Sequence, residues 1–304
     1  MNKAPSSPSS PSRRRGTGAP LGSLGRNALL SMTVLFFGVP ILWLLLAPTK
    51  TRKELTNDAP LSFGSASHVG DAWSHVFGYS DGIFSTWLGN SAIISVAAVL
   101  LTVCTCVPAG YGLAKFAFVG RTTMLFLTMV TMIVPQAALI LPLYLEMSAV
   151  DLTNTLWAVI LPLSFYPFGV YIVYLHAVAS MPNSLIEAGR LDGASEWTIF
   201  FRIYAPIARP AIAMVSFFSF VTAWNTFFLP YIMNTDPELA NVQTGLQLLV
   251  RNTNALGGAN FTGIPVREPE VALAALLSIS PILLIFLFAQ RFLVAGQKAG
   301  AEKE

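Results

Sequence analysis

Charged side chains are scarce: 18 Lys plus Arg and 15 Asp plus Glu make 11% of the 304 residues, where an ordinary soluble domain carries about 25%. With 54% of the chain hydrophobic, that shortage excludes a water-soluble globule. Cysteine is nearly missing. Cys104 and Cys106 point to different faces of a helix and have no histidine or second cysteine pair beside them, so they read as packing thiols rather than metal ligands. His68, His75 and His176 are too scattered for a metal cluster. No G-x-x-x-x-G-K-[ST] phosphate loop occurs, so the chain cannot hydrolyse ATP alone.

What is present is a set of long charge-free runs, at 27–49, 82–114, 122–145, 152–186, 210–235 and 271–290. A helix rises about 1.5 Å per residue, so about 20 apolar residues cross a hydrocarbon core of about 30 Å. Each run holds one such crossing. The sequence therefore predicts an all-α integral membrane protein with six transmembrane helices near 28–47, 91–114, 122–145, 155–179, 210–233 and 271–291. Arg13, Arg14 and Arg15 precede the first run in the manner of a signal peptide, but the run exceeds the usual 7–15 residue h-region and is read as a retained span. Residues 1–26, rich in Ser, Pro and Arg, have too little apolar surface to fold and are expected to be a disordered tail. The six-helix body is then 27–304.

Lys and Arg accumulate in cytoplasmic loops. With the N-terminus inside, 13 of the 18 basic residues fall on the inner side, which predicts both termini in the cytoplasm. Within the spans only His176 can titrate, whereas ion-coupled carriers commonly hold ionisable groups at membrane depth. If the protein moves a solute, its energy is expected to enter from outside the bilayer. Pro135 and Pro142 interrupt the third span and Pro162 and Pro167 the fourth, as packing kinks.

The entry point suggested by the chain is the longest inner loop, Ser180 to Arg209, read as two short helices at 183–205. Ser184 and Glu187 have capping-box spacing, Asp192-Gly193 supplies a turn, and Ser195 caps a second helix. From the residues alone, an interfacial loop on the lipid headgroups and a docking element for another protein are both open. Glu187-Ala188-Gly189-Arg190-Leu191-Asp192-Gly193-Ala194-Ser195, followed by Ile203-Tyr204-Ala205-Pro206, resembles the EAA loop of ATP-binding-cassette importer permeases. That loop runs E-A-A, three residues, G, and about nine residues later I-x-L-P. Gly189 stands where the second Ala is usual, and Ala205 where Leu is usual.

Asn90-Ser91, Ala114-Lys115-Phe116, Leu141-Pro142-Leu143-Tyr144, Trp224-Asn225 with Phe227, and Gln290-Arg291-Phe292 are similar to the carbohydrate-type permeases, the maltose-transporter type above all, across residues 28–297. That resemblance implies a type I importer fold, a prokaryotic inner-membrane location, and a homologous second permease as heterodimer partner. It also implies two ATPase subunits that carry the ATP and Mg, and an extracytoplasmic solute-binding protein; it implies no nucleic acid. Glu187, Ala188, Gly189, Arg190, Asp192, Gly193, Ala194, Ser195 and Pro206 would then form the ATPase-coupling site. The outer loop from about Asn234 to Glu270 would reach into the binding protein or, alternatively, lie free in solvent.

For a neutral, hydroxyl-rich cargo, Trp224, Asn225, Tyr171, Tyr174 and Gln136 are candidate path residues, with helix-to-helix packing as the competing role for Asn225. The expected cargo is a sugar. Glycerol 3-phosphate, a polyol, an amino acid or a compatible solute remain alternatives, as does an ATP-independent secondary carrier.

Overall fold

The structure is a computed structural model that describes residues 20–251 and 266–301, with side chains for 25–251 and 266–290. Among these residues every regular element is helical. The first helix, α1 (Pro20–Leu46), is apolar on all sides and exposed along its length, including Phe36 at 71% and Val34 at 69%. Such a helix is stable only where its surroundings are hydrocarbon or protein. It begins earlier than expected, so part of the supposed tail is helical, while residues 1–19 lie outside the described residues.

A short 3-10 turn leads to α2 (Arg52–Asn57), whose Thr51–Glu54 capping box is fully formed, and α3 (Ala66–Gly78), capped by Ser65. Ser80, Asp81 and Gly82 then turn the chain at φ of 46°, 59° and 85°. From there α4 (Ile83–Lys115) runs unbroken for 33 residues, about 50 Å at the helical rise. The second span was expected at 91–114, and the helix begins eight residues earlier. Its extra turns form no separate loop because Phe84, Trp87, Asn90 and Ser91 are buried against other elements.

The third span, expected as one helix over 122–145, is two: α5 (Arg121–Thr131) and α6 (Gln136–Ala149), bent by 107°. Pro135 has no N–H to continue the helix and pushes Val134 out of the helical region. Pro142 lies inside α6 without ending it. The fourth span is α7 (Trp157–Ser164) followed by α8 (Pro167–Ser180), parted just before Pro167. Next come α9 (Asn183–Leu191), α10 (Glu196–Thr198), a π-helical stretch over Ile199–Tyr204, and α11 (Ala205–Ile207). The wide turn has a local cause, since Pro206 cannot donate to the carbonyl of Arg202.

After a 76° bend, α12 (Arg209–Trp224) stops nine residues short of the expected end at 233, and α13 (Phe228–Met233) is a separate piece. The last two helices are α14 (Val242–Arg251) and α15 (Glu268–Ala301). By length and composition, four stretches are long and apolar enough to cross a membrane, and up to six if each bent pair is one span.

The centre of the bundle is α4, packed against α7, α8 and α12. At Gly110 an added Cβ would lie 2.6 Å from Val173 Cβ and 2.7 Å from Val170 O; at Gly169 one would lie 3.2 Å from Cys106 Sγ. Lipid tails are as apolar as Leu, so close backbone approach and dispersion hold such helices together. Cys106 is buried, its thiol facing Tyr166 O at 3.2 Å, and Cys104 is exposed.

The loop expected on the outer side, from about Asn234 to Glu270, is folded in its first half and not free in solvent there. Residues 234–251 fold back onto α4 as a 3-10 turn and α14, with Asn241, Val242, Thr244 and Leu249 buried. Trp87 Nε1 donates to Pro237 O at 2.8 Å, Asn90 Nδ2 to Glu238 O and Ala240 O, and Ser91 Oγ accepts from Val242 N at 2.8 Å. Residues 252–265 of that loop lie outside the described residues.

Candidate functional site

At the end of the bundle where α4 stops, the chain from α8 to α12 forms a compact helical turn. The expected Ser184–Glu187 capping box is not made. Pro182 is the N-cap in extended conformation, with no side-chain bond, and Ser184 sits inside the first turn of α9. Glu187 is thereby left exposed, and among the described residues its carboxylate has no hydrogen-bond partner.

The other end of α9 closes as its residues dictate. Gly193 has φ of 77°, its N–H donates to Arg190 O at 3.0 Å, and Ala194 N–H donates to Gly189 O at 2.9 Å. That pair of bonds is the Schellman closure, which requires a left-handed residue at the position Gly193 holds. Ser195 Oγ then accepts from Thr198 N at 3.2 Å and starts α10. Across the turn Arg190 Nε donates to Glu196 Oε1 at 2.6 Å, a bond that raises the guanidinium pKa above its usual value. Both side chains are about half exposed, so the pair orients the turn more than it stabilises it.

Two faces result. Ile186 and Gly189 are turned inward, while Leu185, Glu187, Ala188, Leu191 and Asp192 are exposed, Leu191 at 88%. Gly189 is the contact between the two short helices: a Cβ there would lie 3.2 Å from Ile199 Cγ1 and 3.4 Å from Ile203 Cδ1. Ile203 Cδ1 is the end of a flexible side chain, whereas Ile199 Cγ1 belongs to a fully buried β-branched residue that must give by a few tenths of an ångström. Gly189→Ala is expected to be near neutral, the gain in helix propensity of up to about 1 kcal/mol offsetting that shift, read as an unchanged unfolding temperature in detergent. A drop of several degrees would show that Ile199 and Ile203 cannot give way.

The turn is joined to the spans by residues outside the motif. Lys115, the last residue of α4, donates through Nζ to Met181 O at 2.5 Å and Asn183 Oδ1 at 3.4 Å, holding the chain where α8 becomes α9. Tyr111 stacks on Tyr204 at 4.5 Å and lies 5.3 Å from Phe200 and 5.7 Å from Phe116. Ile186, Ile199, Phe200 and Tyr204 share one buried cluster with Val107, Tyr111, Val173 and Val215. Neither Lys115 nor Tyr111 was singled out for this role from the sequence. The available signal was a basic residue at a helix C-terminus, together with an aromatic near the same end of the span. Pro206, exposed, sits just after the π turn.

The five path candidates are not brought together. Trp224 is 3% exposed, donates through Nε1 to Ser278 O of α15 at 2.8 Å and stacks on Phe220 at 5.5 Å, which is a packing environment. Trp224→Phe is expected to lower stability by about 1–2 kcal/mol, because Ser278 O loses its donor, and to leave cargo selectivity unchanged in uptake competition. Asn225, next in sequence, is exposed at the C-cap of α12. Tyr171 and Tyr174 are half-buried on α8 and stack at 6.4 Å. Gln136 is exposed at the start of α6, just past the bend. Among the described residues no hydrogen bond or ring contact joins these positions beyond the tyrosine pair.

The chain is similar to known proteins. Residues 106–298 match the family of binding-protein-dependent transport system inner membrane components. The chain is 31% identical, over 266 residues, to the arabinooligosaccharides transport system permease protein AraQ of Halalkalibacterium halodurans, covering 87% of this chain and 90% of that protein. It is 28% identical over 281 residues to the diacetylchitobiose uptake system permease protein NgcG of Streptomyces coelicolor, covering 90% and 87%. A chain of a bacterial ABC transporter involved in the import of the acidic polysaccharide alginate superposes with a TM-score of 0.79 at 20% identity, over 93% of this chain and 99% of that one; this last likeness bears on the fold.

Proposed function

The chain belongs to the family of binding-protein-dependent transport system inner membrane components, and from that membership we propose that it forms half of the path by which an oligosaccharide enters the cell. Membership makes it a non-catalytic permease subunit of an ATP-binding-cassette importer, seated in the inner membrane and working with an ATPase and a binding protein. The finer reading assigns the exposed α9–α10 turn, Glu187 to Ser195 with Pro206 behind it, as the surface that an ATPase subunit grips. Two ATPase subunits and a homologous second permease complete the assembly, and ATP and Mg reside on the ATPases. The turn faces the cytoplasm, as do both termini.

The observation that carries the coupling assignment is the two-faced turn itself. One face is fused to α4, α8 and α12 through the buried cluster; the other leaves Glu187, Leu191 and Asp192 exposed. A helix pair built this way fits a groove on another protein, and a push on it moves three spans. For the cargo, the support is the two relatives named for oligosaccharide systems.

Purification in mild detergent tests the assembly, with uptake in vesicles testing the cargo. Recovery of a P-loop ATPase and a second permease, and uptake of a labelled oligosaccharide that requires ATP, are expected. A chain that purifies alone and moves solute without ATP would overturn the reading in favour of a secondary carrier. Uptake competed by glycerol 3-phosphate or an amino acid, and not by sugars, would overturn the cargo class alone.

A further inference from the structure

Beneath the turn, two complementary polar atoms are buried without a protein partner. Tyr111 is 2% exposed, and its hydroxyl makes no hydrogen bond among the described residues. Tyr204, stacked on it, sends its own hydroxyl to Val173 O at 3.4 Å instead. On the turn, Glu196 uses Oε1 to hold Arg190. Its side chain as a whole is 44% exposed, but Oε2 is covered and has no partner. One atom is a donor and the other an acceptor.

Their neighbourhood is shared. Phe200 stands four residues after Glu196, on the same side of the helix by spacing, and its ring lies 5.3 Å from that of Tyr111. Arg190, Glu196 and the Tyr111 hydroxyl also lie within electrostatic reach of one another. A buried hydroxyl and a covered carboxylate oxygen are each unfavourable while unpaired, so an arrangement that joins them through one water is favoured over one that does not.

We propose that Tyr111 is a positioning residue of transport: a water bridges its hydroxyl to Glu196 Oε2, the two orphaned atoms not bonding each other directly, and so ties the α9–α10 turn to α4, so that movement of the turn is delivered to the central span. The aromatic stack alone lets the turn slide across the face of α4, because ring contacts tolerate lateral displacement. A charge-assisted O–H···O bond is short and directional and does not. Tyr111 is buried beneath the exposed surface and Glu196 borders it, so the tyrosine hydroxyl serves transmission and not docking.

This inference rests on the assignment of the turn as the ATPase-coupling site, and the test separates the two. The complete transporter, with its partner permease, ATPases and binding protein, is reconstituted in proteoliposomes, and sugar taken up per ATP hydrolysed is measured for Tyr111→Phe, for Glu196→Gln, which keeps an oxygen for Arg190 and replaces the second acceptor by an NH2, and for the double variant. Tyr111→Phe keeps the ring and removes only the hydroxyl. The expected result is that ATPase still co-purifies, while uptake per ATP falls about three- to tenfold in each single variant and no further in the double, as for two residues acting through one bridge. Unchanged uptake per ATP in Tyr111→Phe, or losses that multiply in the double variant, would overturn the inference and leave the coupling assignment standing. A parent complex that recruits no ATPase would remove that assignment instead.

Discussion

Gly193→Pro is expected to strip the ATPase from this permease while leaving the membrane part assembled. Gly193 sits at φ of 77°, and proline is held near −65°. The substitution also removes the N–H that donates to Arg190 O and disfavours the helical conformation of Asp192 (φ −75°, ψ 4°). Three local conflicts at one position cost about 3 kcal/mol or more, enough to unmake a turn whose two helices have nine and three residues before the π stretch. The spans do not share that cost, because α4, α8 and α12 pack on one another through Gly110 and Gly169. The measurement is co-purification: the second permease is retained and the ATPase lost. Gly193→Ala, which tolerates positive φ at about 1–2 kcal/mol, should give partial loss. Full retention of ATPase by the proline variant would place the coupling surface elsewhere.

At the opposite end, Gly245→Ala is expected to be among the most disruptive single-methyl changes in the chain. A Cβ on Gly245 would fall 2.2 Å from Trp87 Cε3 and 2.3 Å from Cδ2. The indole cannot retreat, being 1% exposed and anchored through Nε1 to Pro237 O. Overpacking of this kind costs about 1–3 kcal/mol or more, and here α14 must lift off α4 to relieve it. The Asn90 and Ser91 bonds to 238–242 are then strained with it. Thermal unfolding in detergent should show a marked loss of stability and proteolysis should open the 234–251 segment, while ATPase co-purification persists. Adding Trp87→Leu should recover part of the stability, since the two positions share one space. A Gly245→Ala protein as stable as the parent would show that α14 is free to shift.

These two glycines differ in how they could be foreseen. Gly193 follows Asp192 at the end of an amphipathic stretch and precedes Ser195, a pattern that specifies a left-handed C-terminal closure and a new N-cap within four residues of chain. Gly245 carries no such local mark, because the obstacle to a side chain there is a tryptophan 158 positions earlier in the sequence. The same contrast separates Trp224 from its neighbour Asn225. Adjacent in sequence and polar-aromatic in type, they were joined as path residues, yet one is buried against Ser278 and the other is exposed.

The sequence by itself determined the apolar membrane-crossing stretches, the all-helical class, the break at Gly193 and Ser195 between two short helices and the family, since each follows from charge-free length, local turn and cap chemistry or a short motif. Only the tertiary structure decided that α4 begins at Ile83, that the third span turns through 107° at Pro135, that residues 234–251 are buried on α4, and that Tyr111 and Lys115 fasten the turn to the central span. The physical reason is range. Hydropathy and caps act through neighbours a few residues apart, whereas hydrogen bonds such as Asn90 to Ala240, and close approaches such as Trp87 to Gly245, exist only once distant segments meet. Proline marks where a helix can break, but the direction in which the chain then continues is set by what it packs against.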